Sequence, residues 1–288
     1  MTFAVISRAL SCCTYLSLGK LCSVARVSRS GYDSWSKRLP KVLDKVDLLI
    51  KSIFEKGNAK SGYRTIKMAL EREYGLIINH KRIIRSMRLQ KLVTKIRRKK
   101  YPSVTTETSC AERAFPNIVK RDFSPQSPDS TYSADVTEFK IRNDRKVYLY
   151  AAKDLCSKDI VAYNVSVTPD AALVTDTLRE RLLSLSELQR KKLVYHTDQG
   201  GVFMCNAHIN MTKSLHVTQS MSQRGNCLDN APIESFFGHL KDEIDISLSR
   251  DIFEAKEVIA RYIDLYNNDR PQWGLNRKTP AECRGSYN

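Results

Sequence analysis

Residues 131–167, TYSADVTEFKIRNDRKVYLYAAKDLCSKDIVAYNVSV, decide the fold. TYSADVTEFKI, KVYLYAAKDLCS and DIVAYNVSV are three runs rich in Val, Tyr and Ile, parted by the turn-forming stretches NDR and SK. β-Branched and aromatic residues at a period of two suit a pleated, half-buried surface, so the runs predict three consecutive strands. Downstream the period alternates. A helix is expected from about Asp170 to Gln189, a short apolar strand in KLVYHTD, a helical stretch from Val202 to Lys213, a strand in HVTQSM, and a helix from about Ala231 to Asp245. Ile252 to Asn267 reads as a further amphipathic helix.

Three adjacent strands followed by alternating helices and strands imply an α/β domain, a mixed sheet with helices on both faces. That order is the one expected of a ribonuclease H-like domain. Upstream, KVLDKVDLLIKSIFEK (41–56) sets Leu43, Val46, Ile50, Ile53 and Phe54 at helical spacing, with Gly57 as a stop. A second helix is expected from Tyr63 to about Tyr74, ended by Gly75, and a third from His80 to about Leu89, capped by Asn79. Two short helices joined by a tight Gly-containing turn, the second basic, resemble a helix-turn-helix, a pattern that any helical hairpin can share. The expected organisation is an N-terminal helical segment (1–40), a small all-α, helix-turn-helix-like DNA-binding domain (41–100), and a linker rich in Pro, Ser and Thr (101–128). The ribonuclease H-like core (129–246) and a C-terminal helix and tail packed on it (247–288) follow.

Charge is one-sided. The chain has 48 Lys+Arg against 31 Asp+Glu, a net +17, yet residues 1–100 hold 24 and 6 while the remaining 188 hold 24 and 25. All the excess therefore lies in the amino-terminal third, as in a polyanion-binding module joined to a near-neutral domain; the plainer reading is a solvated basic face. Candidate DNA contacts are Arg64 and, on the third helix, Lys81, Arg82, Arg85 and Arg88. The run after it adds Arg97, Arg98, Lys99 and Lys100, lying along phosphates or forming a solvated tether. No stretch approaches the roughly 18 apolar residues of a membrane span, and no signal peptide is recognisable, so a cytoplasmic location without membrane partners is expected. The eight cysteines form no C-x-x-C pair and read as reduced, mostly buried small hydrophobes.

Three acidic residues stand out by position. Asp135 lies midway along the first strand, and Asp198 closes the fourth just before Gly200 and Gly201. Glu234 falls in the first turn of the helix after DNAP, where Asn230 can cap and Pro232 suits an early position. Carboxylates brought together repel one another, so such a site calls for divalent metal. Mg²⁺ takes oxygen ligands and keeps waters that phosphate oxygens can replace, and two such ions can activate an attacking hydroxyl and stabilise a leaving oxygen. On this reading Asp135 bridges two metals and Asp198 and Glu234 each complete one coordination shell. Taken singly, each carboxylate also reads as a cap or an ion-pair partner. Lys241 lies two helical turns beyond Glu234, on the same face, placed to hold a DNA phosphate or to serve as an ordinary surface lysine. The polar loop SMSQRGNCLDNA offers Gln223, Arg224 and Asn226 as DNA contacts. His196 reads either as support for a metal ligand or as a packed strand histidine. Trp273 reads as packing the tail helix on the core, with stacking on a base as the alternative, and Tyr262, Leu265 and Tyr266 read as core contacts.

These residues resemble the transposases of the insertion sequence three family, the catalytic subunit usually called OrfB. SRSGYDSW (28–35), SGYRTIKMAL (61–70), NHKRIIRSMRLQKL (79–92), HTDQGG (196–201), SMSQRGNCLDNAPIESFFGHLKDE (220–243) and YIDLYNNDRPQWGLNRKTPAE (262–282) carry the resemblance over nearly the whole chain. So do the 35 residues between Asp198 and Glu234. The resemblance implies a DDE transposase with Asp135, Asp198, Glu234 and Lys241 as its site, which cuts insertion-sequence ends and joins the freed 3′ hydroxyl to DNA. It further implies two Mg²⁺ or Mn²⁺ ions with DNA bound, a homo-oligomer on DNA, an upstream OrfA partner or fusion, and a bacterial, nucleoid-associated setting. The alternatives are a non-catalytic DNA-binding regulator derived from a transposase and a ribonuclease H-like nuclease acting on RNA hybrids.

Overall fold

The computed structural model describes residues 2–13, 15–36, 43–95, 114–223 and 227–287. Contacts divide the chain into two compact units, Met1–Lys51 and Ser52–Asn288. The first contains α1 (Thr2–Cys12), α2 (Leu18–Val24) and α3 (Arg29–Ser36). Phe3, Tyr32 and Trp35 cluster there with ring centroids 5.7–6.1 Å apart, and Ser17 caps α2 through the Lys20 N–H. α4 (Lys45–Lys56) runs across the boundary between the units.

The second unit begins with the expected hairpin, α5 (Tyr63–Tyr74) and α6 (His80–Leu89). Gly75 ends α5 at φ +66, a left-handed turn that glycine adopts without steric cost. Asn79 starts α6 by accepting the Lys81 N–H. Ile66 and Leu70 on α5 and Ile83 and Met87 on α6 are buried, each pair four residues apart, so each helix turns one apolar stripe inward. Lys81, Arg85 and Arg88 lie on the exposed side of α6, and Arg82 is partly covered. Arg97, Arg98, Lys99 and Lys100 lie outside the described residues.

The sheet is five-stranded, in the order β3-β2-β1-β4-β5. β1 (Thr131–Lys140), β2 (Lys146–Asp154) and β3 (Ile160–Ser166) are antiparallel neighbours. β4 (Val194–Thr197) and β5 (Thr218–Met221) run parallel to β1. One face packs Tyr132, Ala134 and Tyr150 against α7 (Ala171–Leu183) and α9 (Asn206–Ser214). The other packs Phe139, Val147 and Leu149 against α10 (Ala231–Glu243) and α11 (Ile252–Asp264). The mixed sheet covered on both faces is therefore observed, and among the described residues no helix is long and apolar enough to cross a membrane.

Several local expectations are corrected. The helix expected over 170–189 is two, α7 and α8 (Glu187–Lys192), because Ser186 and Gln189 form a capping box that starts a new helix. The stretch from Val202 turns, burying Phe203 and Met204, before α9 begins at Asn206. α11 widens into a π-helical turn over Leu265–Asp269, which leaves Leu265 46% exposed while Tyr262 and Tyr266 are buried as expected. Trp273 is 48% exposed, lying between Lys67 and Arg277 at 5.8 and 5.4 Å from its ring centre, not buried on the core. The described part of the expected linker runs along the sheet. The Ile118 N–H donates to Ser220 Oγ at 2.9 Å, and Lys158 Nζ donates to the Phe123 carbonyl at 2.7 Å.

A final helix, α12 (Pro280–Gly285), fastens the tail. Arg284 reaches Asp159, Asp129 and Asp154 at 2.8, 2.9 and 3.0 Å, where the first three strands begin or end. Two residues earlier, Glu282 takes both nitrogens of the Arg72 guanidinium from α5, at 2.7 and 3.1 Å. Arg277 pairs with Glu71 beside it at 2.8 Å.

Candidate active site

The alternation of β1 sets the geometry. Ser133, Asp135, Thr137 and Phe139 share the face that meets α10. Ser133 Oγ donates to Asn230 Oδ1 at 2.6 Å, and Asn230 Nδ2 donates to the Ala134 carbonyl at 3.1 Å. Asn230 therefore does not cap α10, as the sequence suggests; its side chain is spent on the strand, and no side-chain cap bond is made. At the other end, Lys241 Nζ donates to Thr137 Oγ1 at 2.5 Å and lies 5.1 Å from the Phe139 ring centre. Helix and strand thus run in one direction, tied at both ends.

Between those ties the two registers match. Asp135 lies two residues past Ser133, about 7 Å along a strand. Glu234 lies four residues past Asn230, about 6 Å along a helix. The parallel pair adds the third acid. Ser133 pairs with His196, and Asp198, two residues on, stands one residue past the end of β4 rather than closing it as the sequence suggests, which counts to the level of Asp135 in β1.

The electrostatics agree. Asp135 is pushed up to about 7, first by burial, then by the negative charge of Asp198 and, after the opposing Val136 N–H, that of Glu234, with Lys241 pulling the other way. Burial also raises Asp198, opposed by the Gly200 N–H that donates to its Oδ1 at 2.9 Å. A Cβ at position 200 would meet that same oxygen at 2.9 Å, so the glycine is what lets the backbone close on the carboxylate. Among the described residues no three His, Cys, Asp or Glu side chains stand close enough together to hold a metal ion.

The surroundings hold this set in place. His196 is 1% exposed and uses both ring nitrogens, Nδ1 with Ser220 Oγ at 2.9 Å and Nε2 with the Asp229 carbonyl at 3.1 Å. Of its two sequence readings, the packed strand histidine is the observed one. Lys153, a buried lysine of β2, donates to the Pro232 carbonyl at 3.3 Å and braces the start of α10. Gln223 is exposed and its N–H donates to Asp229; Arg224 and Asn226 lie outside the described residues. Arg64 is exposed on α5, beside the Tyr63 ring. Sequence reasoning passed over Ser133 and Thr137, although period-two alternation around Asp135 already puts them on its face.

The chain matches family models described as Integrase core domain over residues 125–227 and 215–280, and as HTH-like domain over 43–100. It is 34% identical to the putative transposase InsK for insertion sequence element IS150 of Escherichia coli, over 94% of each chain. It is 28% identical to the transposase InsF for insertion sequence IS3A of the same organism, over 88% of this chain and 89% of that one. Among solved structures, the HTLV-2 integrase catalytic core domain in complex with magnesium overlaps 55% of this chain and 98% of its own length, at 16% identity and a TM-score of 0.41. With a helix-turn-helix-like hairpin ahead of an integrase core, and a relative similar from end to end, this chain belongs to the transposases of the insertion sequence three family.

Proposed function

We propose that this transposase chain is itself the catalytic subunit, a DDE-type polynucleotidyl transferase that cuts insertion-sequence ends and transfers the freed strand to DNA. Asp135, Asp198 and Glu234 would hold two divalent cations, Mg²⁺ or Mn²⁺, with DNA bound, and Lys241 would seat a phosphate beside them. What supports this reading is the negative charge of Asp198 and Glu234 felt at Asp135, together with the strand pairing and helix tie from which the three acids count to one level. The donor set fits hard cations, being oxygen throughout. The raised carboxyl of Asp135, held up by burial and by the charges of Asp198 and Glu234, is what a nearby cation would relieve. Bound there, the metal would supply an activated attacking hydroxyl and charge relief on the leaving oxygen.

The protein's own share is positioning. Asn230 and Lys153 fix the start of the helix that bears Glu234, and the Gly200 N–H orients Asp198. Lys241, resting on Thr137, is held over the same face for a strand phosphate. Arg64, Lys81, Arg82, Arg85 and Arg88, with Arg97, Arg98, Lys99 and Lys100 beyond them, would neutralise duplex phosphates; Gln223, Arg224 and Asn226 would touch the DNA end. Family membership supports oligomers on DNA, and choice of the end would come from an OrfA partner or fusion. The active-site test is metal-dependent joining of a labelled duplex bearing the element's terminal sequence, by wild type and by Asp135→Ala, Asp198→Ala and Glu234→Ala. Loss of product in all three variants, with duplex binding retained, is expected; equal product from all four proteins would remove the assignment.

A further inference from the structure

β4 and β5 end side by side, and the chain leaves a cleft of about 660 Å³ there. That volume falls within the roughly 300–1,000 Å³ of small-molecule sites, and the ends of parallel strands are where α/β sheets commonly bind ligands. The cleft touches Gln199, the neighbour of Asp198, on one side and residues 115–121 on the other. Three kinds of group meet in it. Phe115, packed in part on the core, and Met221 give an apolar floor. Gln199 and Gln223 bring side-chain amides, the former held by donating to the Ser222 carbonyl at 3.1 Å. Lys120 and Arg121 bring positive charge.

The two cations are built in at some cost. Both residues have left-handed backbone, φ 47 and 65, a conformation that side chains other than glycine resist. Asn117 and Val119 hold the turn by accepting the Lys120 and Asp122 N–H groups at 2.9 and 2.8 Å. The acid in the lining, Asp229, is 3% exposed and already engaged by Arg121, Asn117 and the Gln223 N–H. The mouth therefore keeps the charge of Lys120, which is exposed.

We propose that this cleft is a subsite for one unpaired nucleotide of the DNA. Its base lies on Phe115 with its edge toward the Gln199 and Gln223 amides, and its phosphate sits at Lys120 and Arg121. A base still paired in duplex cannot enter, so the strand frays or flips as it reaches Asp198. Stacking on an aromatic ring suits any base, so the subsite reads strandedness more than sequence. The inference takes its substrate, DNA, from the proposed function but needs neither metal nor cutting.

The test uses the full chain in chelator, with fluorescence anisotropy on two duplex probes of one sequence. One is blunt; the other ends in a short single-stranded tail containing 2-aminopurine. Wild type should bind the tailed probe about tenfold more tightly and quench its fluorescence. Lys120→Ala and Phe115→Leu should each cut that advantage about threefold or more, and Phe115→Leu should relieve the quench, with blunt-duplex affinity unchanged. Phe115→Leu keeps most of the apolar volume, and Lys120→Ala changes an exposed side chain, so both variants should unfold at the wild-type temperature. Equal wild-type affinity for the two probes, or an advantage that both variants retain, overturns the subsite. Asp198→Ala should keep the tail preference while losing joining with metal, so failure of the active-site reading and failure of this one are told apart.

Discussion

Removing the Arg284 guanidinium by Arg284→Met tests the account of how the tail is fastened. Asp154 has no exposed surface, and Asp129 and Asp159 have side chains only 10% and 13% exposed, while Arg284 is 24% exposed. Breaking a buried ion pair by deleting one partner costs about 3–5 kcal/mol, because a charge is left uncompensated. The lower end applies, since Arg181 still pairs with Asp129 at 2.8 Å and the N–H groups of Asp129, Cys156 and Ser157 still donate to Asp154. The expected loss at pH 7 is therefore about 3 kcal/mol in urea unfolding. The sign with pH follows from the two acids. Burial already raises Asp154, and without the cation it rises further, so its penalty is present at pH 7 and fades as pH falls and the acid takes up its proton. Asp129 is held low in the intact protein by Tyr132 and Arg284 against its burial. That stabilisation is lost in wild type as pH falls through the Asp129 pKa, which narrows the gap from the other side. Arg284→Met should thus approach wild type as pH falls, first through Asp154 and then, below the ordinary carboxylate range, through Asp129, and in an Asp154→Asn background it should cost less than half as much. A loss below about 1 kcal/mol at pH 7, or a gap that widens toward pH 4, would refute the reasoning.

Three further outcomes are expected. Gly200→Ala should displace the Asp198 carboxylate and lower metal-dependent joining by on the order of tenfold, with stability within about 1 kcal/mol of wild type; unchanged joining would separate the glycine from the site. His208 is 1% exposed, has no hydrogen-bond partner on either ring nitrogen among the described residues, and is pushed down to about 4 by burial. The unfolded chain takes up its proton near pH 6.5 and the fold does not, so stability should fall by about 3 kcal/mol between pH 6.5 and 4, a component that urea titrations of His208→Phe should lack. Arg85→Ala and Arg88→Ala should each weaken duplex binding across sequences and reduce the slope of log affinity against log salt by about one; an unaltered slope would take α6 off the phosphates.

Much of this molecule was legible where a local pattern decides the outcome. The three opening strands and the bounds of α5 and α6 follow from alternation, a glycine stop and an asparagine cap, all read within a few residues. The break between α7 and α8 was legible too, since Ser186 and Gln189 have capping-box spacing, but the continuous helical period around them concealed it. Asn230 marks the limit of such reasoning. Its place before a helix and a proline is that of a cap, and only the packed strand beside it reveals that its amide is already taken by Ser133 and Ala134. Arg284 could not be foreseen, because its carboxylates lie 125 to 155 residues away and no periodicity connects them. For the proposed site, the sequence singled out the three acids and Lys241, while the contacts of Lys153, Gly200 and Thr137 around them needed the fold.

α12 has six residues, yet it has a hand on each side. Glu282 takes the arginine of the helix-turn-helix-like hairpin, and half a helical turn later Arg284 takes the carboxylate of Asp129, six residues ahead of Asp135. With the Arg277–Glu71 pair beside it, this short helix ties the hairpin to the start of β1, so a load on one is passed to the other through side chains of the tail. Because the Glu282 joint lies in water and the Arg284 joint is largely covered, brine would loosen the first well before the second.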